Sequence, residues 1–152
     1  MEEKLKNVTN EALVIGSLFK KPILFIEYEG MLNEKYDFSD ESCLFMFKNF
    51  IVYYKTFSQE LSETKFNTFI TQNSELIEPY KKLGGYKFVN KIMEMANEDD
   101  FENYVTTLKK YSLLRELHNR GFNVKKIIEH KKFDTLSSDE IIKIINLRRT
   151  SF

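Results

Sequence analysis

The stretch "SCLFMFKNFIVYY", Ser42–Tyr54, constrains the fold more than any other part of this chain. Wound as a helix it is apolar nearly all round, and a helix without a polar face is a buried one. It is too short to cross a bilayer, which takes roughly 20 apolar residues. Other helices must therefore surround it. The rest of the sequence suits that role: it holds two prolines and five glycines, too few turn markers for a sheet with many hairpins. The expected fold class is all-α.

A chain of 152 residues with 42% hydrophobic content fits one domain with a sizeable core. Its 23 basic and 23 acidic side chains cancel, so the whole-chain charge favours neither nucleic acid nor an anionic membrane. Cys43 is the only cysteine, which excludes an intrachain disulfide and fits a reducing compartment. No secretory signal pattern opens the chain. The reading is a soluble, cytoplasmic protein.

Helical signals follow one another along the chain. Val8, Ala12, Ile15, Gly16 and Phe19 recur at helical spacing, and Pro22 should stop that helix. "ILFIEYEGML" reads as a short second helix broken near Gly30, and Ser39 or Asp40 caps the apolar third one. In "LSETKFNTFITQN", Ser62 is the cap and Phe66, Phe69 and Ile70 form one side. A short piece around "EPYKKL" follows, with Pro79 expected in its first turn.

The glycine pair in "KKLGGYKFVNKIMEMAN" admits two readings. A Walker phosphate loop needs a lysine followed by Ser or Thr after its glycines, and a strand before them. Neither is present, so Gly84 and Gly85 read as a joint: glycine adopts the left-handed conformation that ends one helix and frees the chain to begin another. Beyond the joint, Val89, Ile92, Met93 and Ala96 form one apolar stripe, "NEDD" interrupts, and Phe101, Tyr104, Val105 and Leu108 form a second. Two antiparallel helices with these stripes facing would pack as a hairpin. A lone hairpin leaves part of its stripes uncovered. These eight residues are therefore the expected self-association surface, with plain core as the other reading of such a stripe.

Nothing in the sequence assembles a catalytic centre. It contains no Walker lysine, no H-E-x-x-H and no cysteines at metal-ligand spacing. His118 and His130 are far apart, and Cys43 sits in the most apolar helix, where a thiol is an inert hydrophobe. The expectation is a non-enzymatic chain with no catalytic, metal or cofactor residues of its own.

Four segments, "EALVIGSLFKKP", "YDFSDESCLFMFKNF", "LGGYKFVNKIMEMAN" and "ENYVTTLKKYSLLRELHNRGFNV", occur in the order found in replicative DNA helicases. The chain resembles the N-terminal collar domain of the DnaB family over roughly residues 10–124. The resemblance implies a helical head (1–83), a helical hairpin of the same domain (84–121) and an interdomain linker (122–152) of the phage or low-GC bacterial type. It also implies ring assembly of a hexamer in DNA replication, with primase and a helicase loader as docking partners. ATP and magnesium would belong only to an ATPase domain beyond the linker. Two alternatives stand beside it. One is a free-standing phage protein that mimics the collar and blocks helicase loading. The other is a small helical DNA-binding regulator using Lys109, Lys110, Arg115, Arg120, Lys125 and Lys126, although direct DNA contact is not what the collar reading expects.

The last segment carries its own helix signal at about 138–149. "SSDE" is a capping box of Ser137 and Glu140, Ile141, Ile142, Ile144 and Ile145 follow, and Arg148 and Arg149 suit the helix C-terminus. An isolated helix this short is marginal in water. The resemblance supplies a groove on a neighbouring subunit for Ile141, Ile144 and Ile145. Without it the segment is expected to be disordered or borrowed by a neighbouring copy.

Overall fold

The computed structural model describes residues 2–57 and 60–150, with side chains left out of the description at residue 2 and residues 148–150. Arg148 and Arg149 therefore lie outside the described side chains. Among the described residues all regular structure is helical. The elements are α1 (Val8–Lys20), α2 (Leu24–Tyr28), α3 (Glu41–Phe57), α4 (Glu63–Thr71), α5 (Ser74–Leu83), α6 (Tyr86–Met95), α7 (Phe101–Asn119), α8 (Lys125–Ile128) and α9 (Ser138–Thr150). Short 3-10 turns occupy Glu2–Leu5, Glu98–Asp100 and Phe133–Thr135.

Helix α1 is the centre of the molecule, packed most extensively against α6 and then against α7 and α3. Val14, Ile15 and Leu18 on it are fully buried. Helix α3, the apolar element, buries Cys43, Met46, Phe47, Phe50 and Tyr53, while Lys48, Val52 and Lys55 still reach solvent. It is thus a wall of the core rather than its middle. Aromatic rings join the layers: Phe19 lies 5.4 Å from Phe50 and 5.2 Å, edge-on, from Phe66.

Local caps follow the sequence closely. The Cys43 N–H donates to Asp40 Oδ2 at 3.0 Å, the Lys65 N–H to Ser62 Oγ at 3.2 Å, and the Glu140 N–H to Ser137 Oγ at 3.1 Å. Glu140 completes the box by accepting from the Ser137 N–H at 3.1 Å. Gly84 has φ 113° and Gly85 φ 61°, so both adopt left-handed backbone, and the Gly85 N–H donates to the Tyr80 carbonyl at 2.8 Å. One element starts earlier than expected. Asn73, not a residue beside Pro79, caps α5 by accepting from the Glu75 N–H at 3.1 Å. Pro79 therefore lies inside the helix, where its missing N–H leaves the Glu75 carbonyl without its helical donor.

Two separate cores result. The larger joins α1–α7 through residues from Ala12 to Leu108. The smaller joins Leu5, Leu114, Val124, Ile127, Phe133, Ile141 and Ile145. Helix α7 serves both, its first half (Phe101, Val105, Leu108) facing the first and Leu114 the second.

Candidate functional site

The expected self-association stripe is a core face of this same chain. Val89, Ile92, Ala96, Phe101, Val105 and Leu108 are all at most 4% exposed. Met93 and Tyr104 are half-buried and pack against the same core. Helices α6 and α7 do not close mainly on each other. They clasp α1, which fills the space between their stripes. Gly16 makes this possible: a Cβ there would stand 2.7 Å from the Ile92 carbonyl carbon and 3.1 Å from the Ala96 Cβ. Polar contacts tie α1 at both ends. Asn10 Nδ2 donates to the Tyr104 carbonyl at 2.9 Å, and Lys20 Nζ donates to the Ala96 carbonyl at 2.8 Å. Lys20 also pairs with Glu98 at 2.7 Å and holds its carboxyl below the usual carboxylate range.

The linker residues are likewise covered internally. Ile141 and Ile145 are buried and Ile144 is half-buried in the smaller core, against Leu114, Leu5 and Ile127. Helices α8 and α9 pack within the chain itself, because the C-terminal half of α7 and the 3-10 turn Glu2–Leu5 supply the groove. Ile142 alone of the four isoleucines points out, 41% exposed.

A polar clasp holds the loop between α2 and α3 onto α1 and α7. Glu11 is buried and accepts from the Ser39 N–H and Asp40 N–H at 3.0 Å each and from the Ser39 hydroxyl at 2.6 Å. Asp37 is buried as well, with Lys109 Nζ 3.0 Å from both of its oxygens, and accepts from Ser112 Oγ at 2.7 Å. Arg115 donates to the Leu5 and Tyr36 carbonyls, each at 2.9 Å. Lys110 is buried, donates to the Phe133 carbonyl and lies over the Phe133 ring, and burial draws its pKa below the ordinary lysine value. Three of the six cations considered for DNA contact are thus engaged by the fold, and Arg120 forms an exposed pair with Glu116 at 2.9 Å. Of that set, Lys125 and Lys126 alone have neither an ion pair nor a side-chain hydrogen bond among the described residues.

The remaining chemistry is sparse. Burial pushes the Cys43 thiol well above its ordinary pKa, so it stays protonated. His118 and His130 are exposed. Among the described residues no group of three metal-ligating side chains converges, and no helix is long and apolar enough to cross a membrane. The grooves are shallow and open. One of about 860 Å³ runs between the start of α3 and the end of α5, lined by Phe45, Pro79 and Leu83 with charged neighbours. The apolar side chains that reach solvent lie mainly away from α6 and α7: Ile23 and Ile26 on one face of α2's start, and Met31 after it, are each about half exposed. Sequence periodicity missed them because a five-residue helix is too short to show a stripe.

Comparison with known proteins returned a distant relative. The chain is 23% identical over 147 residues to the SPbeta prophage-derived uncharacterized protein YorI of Bacillus subtilis (strain 168). The match takes in 89% of this chain and 29% of that protein, so the chain spans less than a third of the relative's length. No family model matches the chain, and no solved structure matches it.

Proposed function

We propose that this chain is the N-terminal docking and assembly domain of a DnaB-type replicative helicase, working by contact rather than by catalysis. The order of its four segments, laid on an all-helical fold in which a glycine joint opens the α6–α7 clasp, is the observation that carries the reading. The prophage-derived relative is consistent with it, because most of that protein's length lies outside the match and leaves room for a motor domain. The proposed partners are further copies of the chain, primase and a helicase loader, in DNA replication in the cytoplasm. ATP and magnesium would serve only that motor domain.

The burial of the α6–α7 stripe changes how the assembly must work. Contacts between copies cannot use Val89, Ile92 or Leu108 without opening the core. They fall instead to the outer surface, where Ile23, Ile26 and Met31 are among the exposed apolar side chains. The regulator alternative would rest on Lys125, Lys126 and the exposed Arg120, since Lys109, Lys110 and Arg115 are engaged by the fold. The collar-mimic alternative shares the same fold and differs only in what the chain does to a host helicase.

Size exclusion with light scattering tests the proposal on the chain alone and mixed with the cognate primase. Co-elution with primase, or assembly beyond a monomer at concentrations of about tens of micromolar, is expected. Affinities in that range are ordinary for transient contacts of modest area. A monomer that ignores both primase and loader overturns the docking role. Inhibition of loading by the isolated chain would select the mimic.

A further inference from the structure

The C-terminal module carries a concentration of positive charge that neither the fold nor the proposed docking role uses. Residues 125–132 hold four lysines and one glutamate in a chain whose net charge is zero. Lys125, Lys126, Lys131 and Lys132 are all exposed, and none has an ion pair among the described residues. The acid within the cluster, Glu129, faces Lys4 at 3.9 Å. That contact brings the exposed Lys4 alongside, and Lys6, two residues further on, is exposed as well.

The backbone that displays these charges is fixed. Val124 and Ile127 are buried on one side of α8 and Phe133 just beyond the second lysine pair, all in the smaller core with Leu5. The Lys125 N–H donates to Asn123 Oδ1 at 3.1 Å and the Lys132 N–H to His130 Nδ1 at 3.1 Å, pinning each pair in a turn. Unpaired lysines on a fixed frame are point charges suited to a polyanion.

We propose that Lys4, Lys6, Lys125, Lys126, Lys131 and Lys132 form a contact face for the phosphate backbone of nucleic acid. The face does not read sequence. Phe133 is buried and Phe122 half-buried, so it offers no exposed aromatic platform for bases. A lipid surface fits less well, because interfacial helices insert an apolar face. Here Ile127 is buried and Ile128 packs against the module's own core. The inference stands apart from the collar reading and holds whichever protein docks on the head.

The test is fluorescence anisotropy of a labelled oligothymidylate titrated with the whole chain. With about four phosphates neutralised on a single strand, affinity should fall roughly 50-fold between about 50 and about 200 mM salt. K125E/K126E and K131E/K132E, made separately, should each weaken binding by about tenfold or more at low salt, since each removes two phosphate contacts and adds repulsion. K65E/K87E, on exposed positions of α4 and α6, should leave it unchanged. Circular dichroism checks that each variant keeps its helices, and Lys→Gln at the same positions replaces any that does not. No binding at low salt, binding indifferent to salt, or equal loss in K65E/K87E overturns the proposal. So does binding to anionic phospholipid vesicles without binding to the oligonucleotide.

Discussion

Gly16 is where a single atom decides the packing. Alanine at an exposed helical site is worth about 1 kcal/mol over glycine through propensity. At this site the added methyl meets the backbone of α6 at Ile92, which cannot swing aside as a side chain would. Overpacking of this kind typically costs about 1–3 kcal/mol and here must act by prising α1 from α6. Gly16→Ala is therefore expected to lower the melting temperature, by roughly 2–4 °C for each kcal/mol lost in a chain of this size. Thermal unfolding followed by circular dichroism measures it, and an increase would show that the two helices are not in close approach. Glu11 and Asp37 carry the complementary lesson in polar chemistry. Each is a buried acid whose oxygens are satisfied by several donors from distant parts of the chain, so each pins the α2–α3 loop to one register.

At the scale of elements, sequence periodicity announced which faces are buried without saying what buries them. The caps at Asp40, Ser62 and Ser137 and the Gly84 turn were legible because they are local: donor and acceptor lie within a few residues of each other. The stripes on α6, α7 and α9 were legible as stripes. Their partner was not, since a face that fits a second copy has the same spacing as one that fits α1. The start of α5 lies earlier than Pro79 suggests, because the short-range cap is Asn73 and a proline six residues into a helix is rare enough to mask it. The two burial sites now make opposite predictions. Ile92→Asp places a carboxylate in the larger core, at a cost of several kcal/mol, and should abolish cooperative folding of the whole chain. Ile145→Asp places it in the smaller core and should release α9 while α1–α7 persist. Helical circular dichroism and a proteolysis time course separate the outcomes. A folded Ile92→Asp chain that merely lost self-association would restore the stripe to an intermolecular role.

The whole molecule is two cores strung on one helix. Among the described residues, twenty-two buried side chains form the first core and seven the second, so far less apolar surface opposes opening of the second. What holds the small core to the large one runs through the second half of α7: Leu114 with Tyr111, Leu113 and Leu117 packed beside it, Leu5 at the other end of the chain, Lys110 on the Phe133 carbonyl, and Arg115 on the Leu5 carbonyl. Gly121, with φ 90°, ends α7 at the boundary and turns the chain toward α8. This arrangement predicts that α8 and α9 open together, as a unit, while α1, α6 and the first half of α7 remain closed. Native-state hydrogen exchange should then place the amides of Lys125–Ile128 and Ile141–Ile145 in one less-protected group, and those of Val14–Leu18 and Val89–Ile92 in another of higher opening free energy. Arg115→Ala, which removes the tie to Leu5, should speed exchange in the first group and leave the second nearly unchanged. Equal protection in both groups, or a response to Arg115→Ala spread evenly over the chain, would show a single cooperative unit. In that case the lysine face on α8 could not move independently of the head, and any nucleic acid bound there would be held rigidly to it.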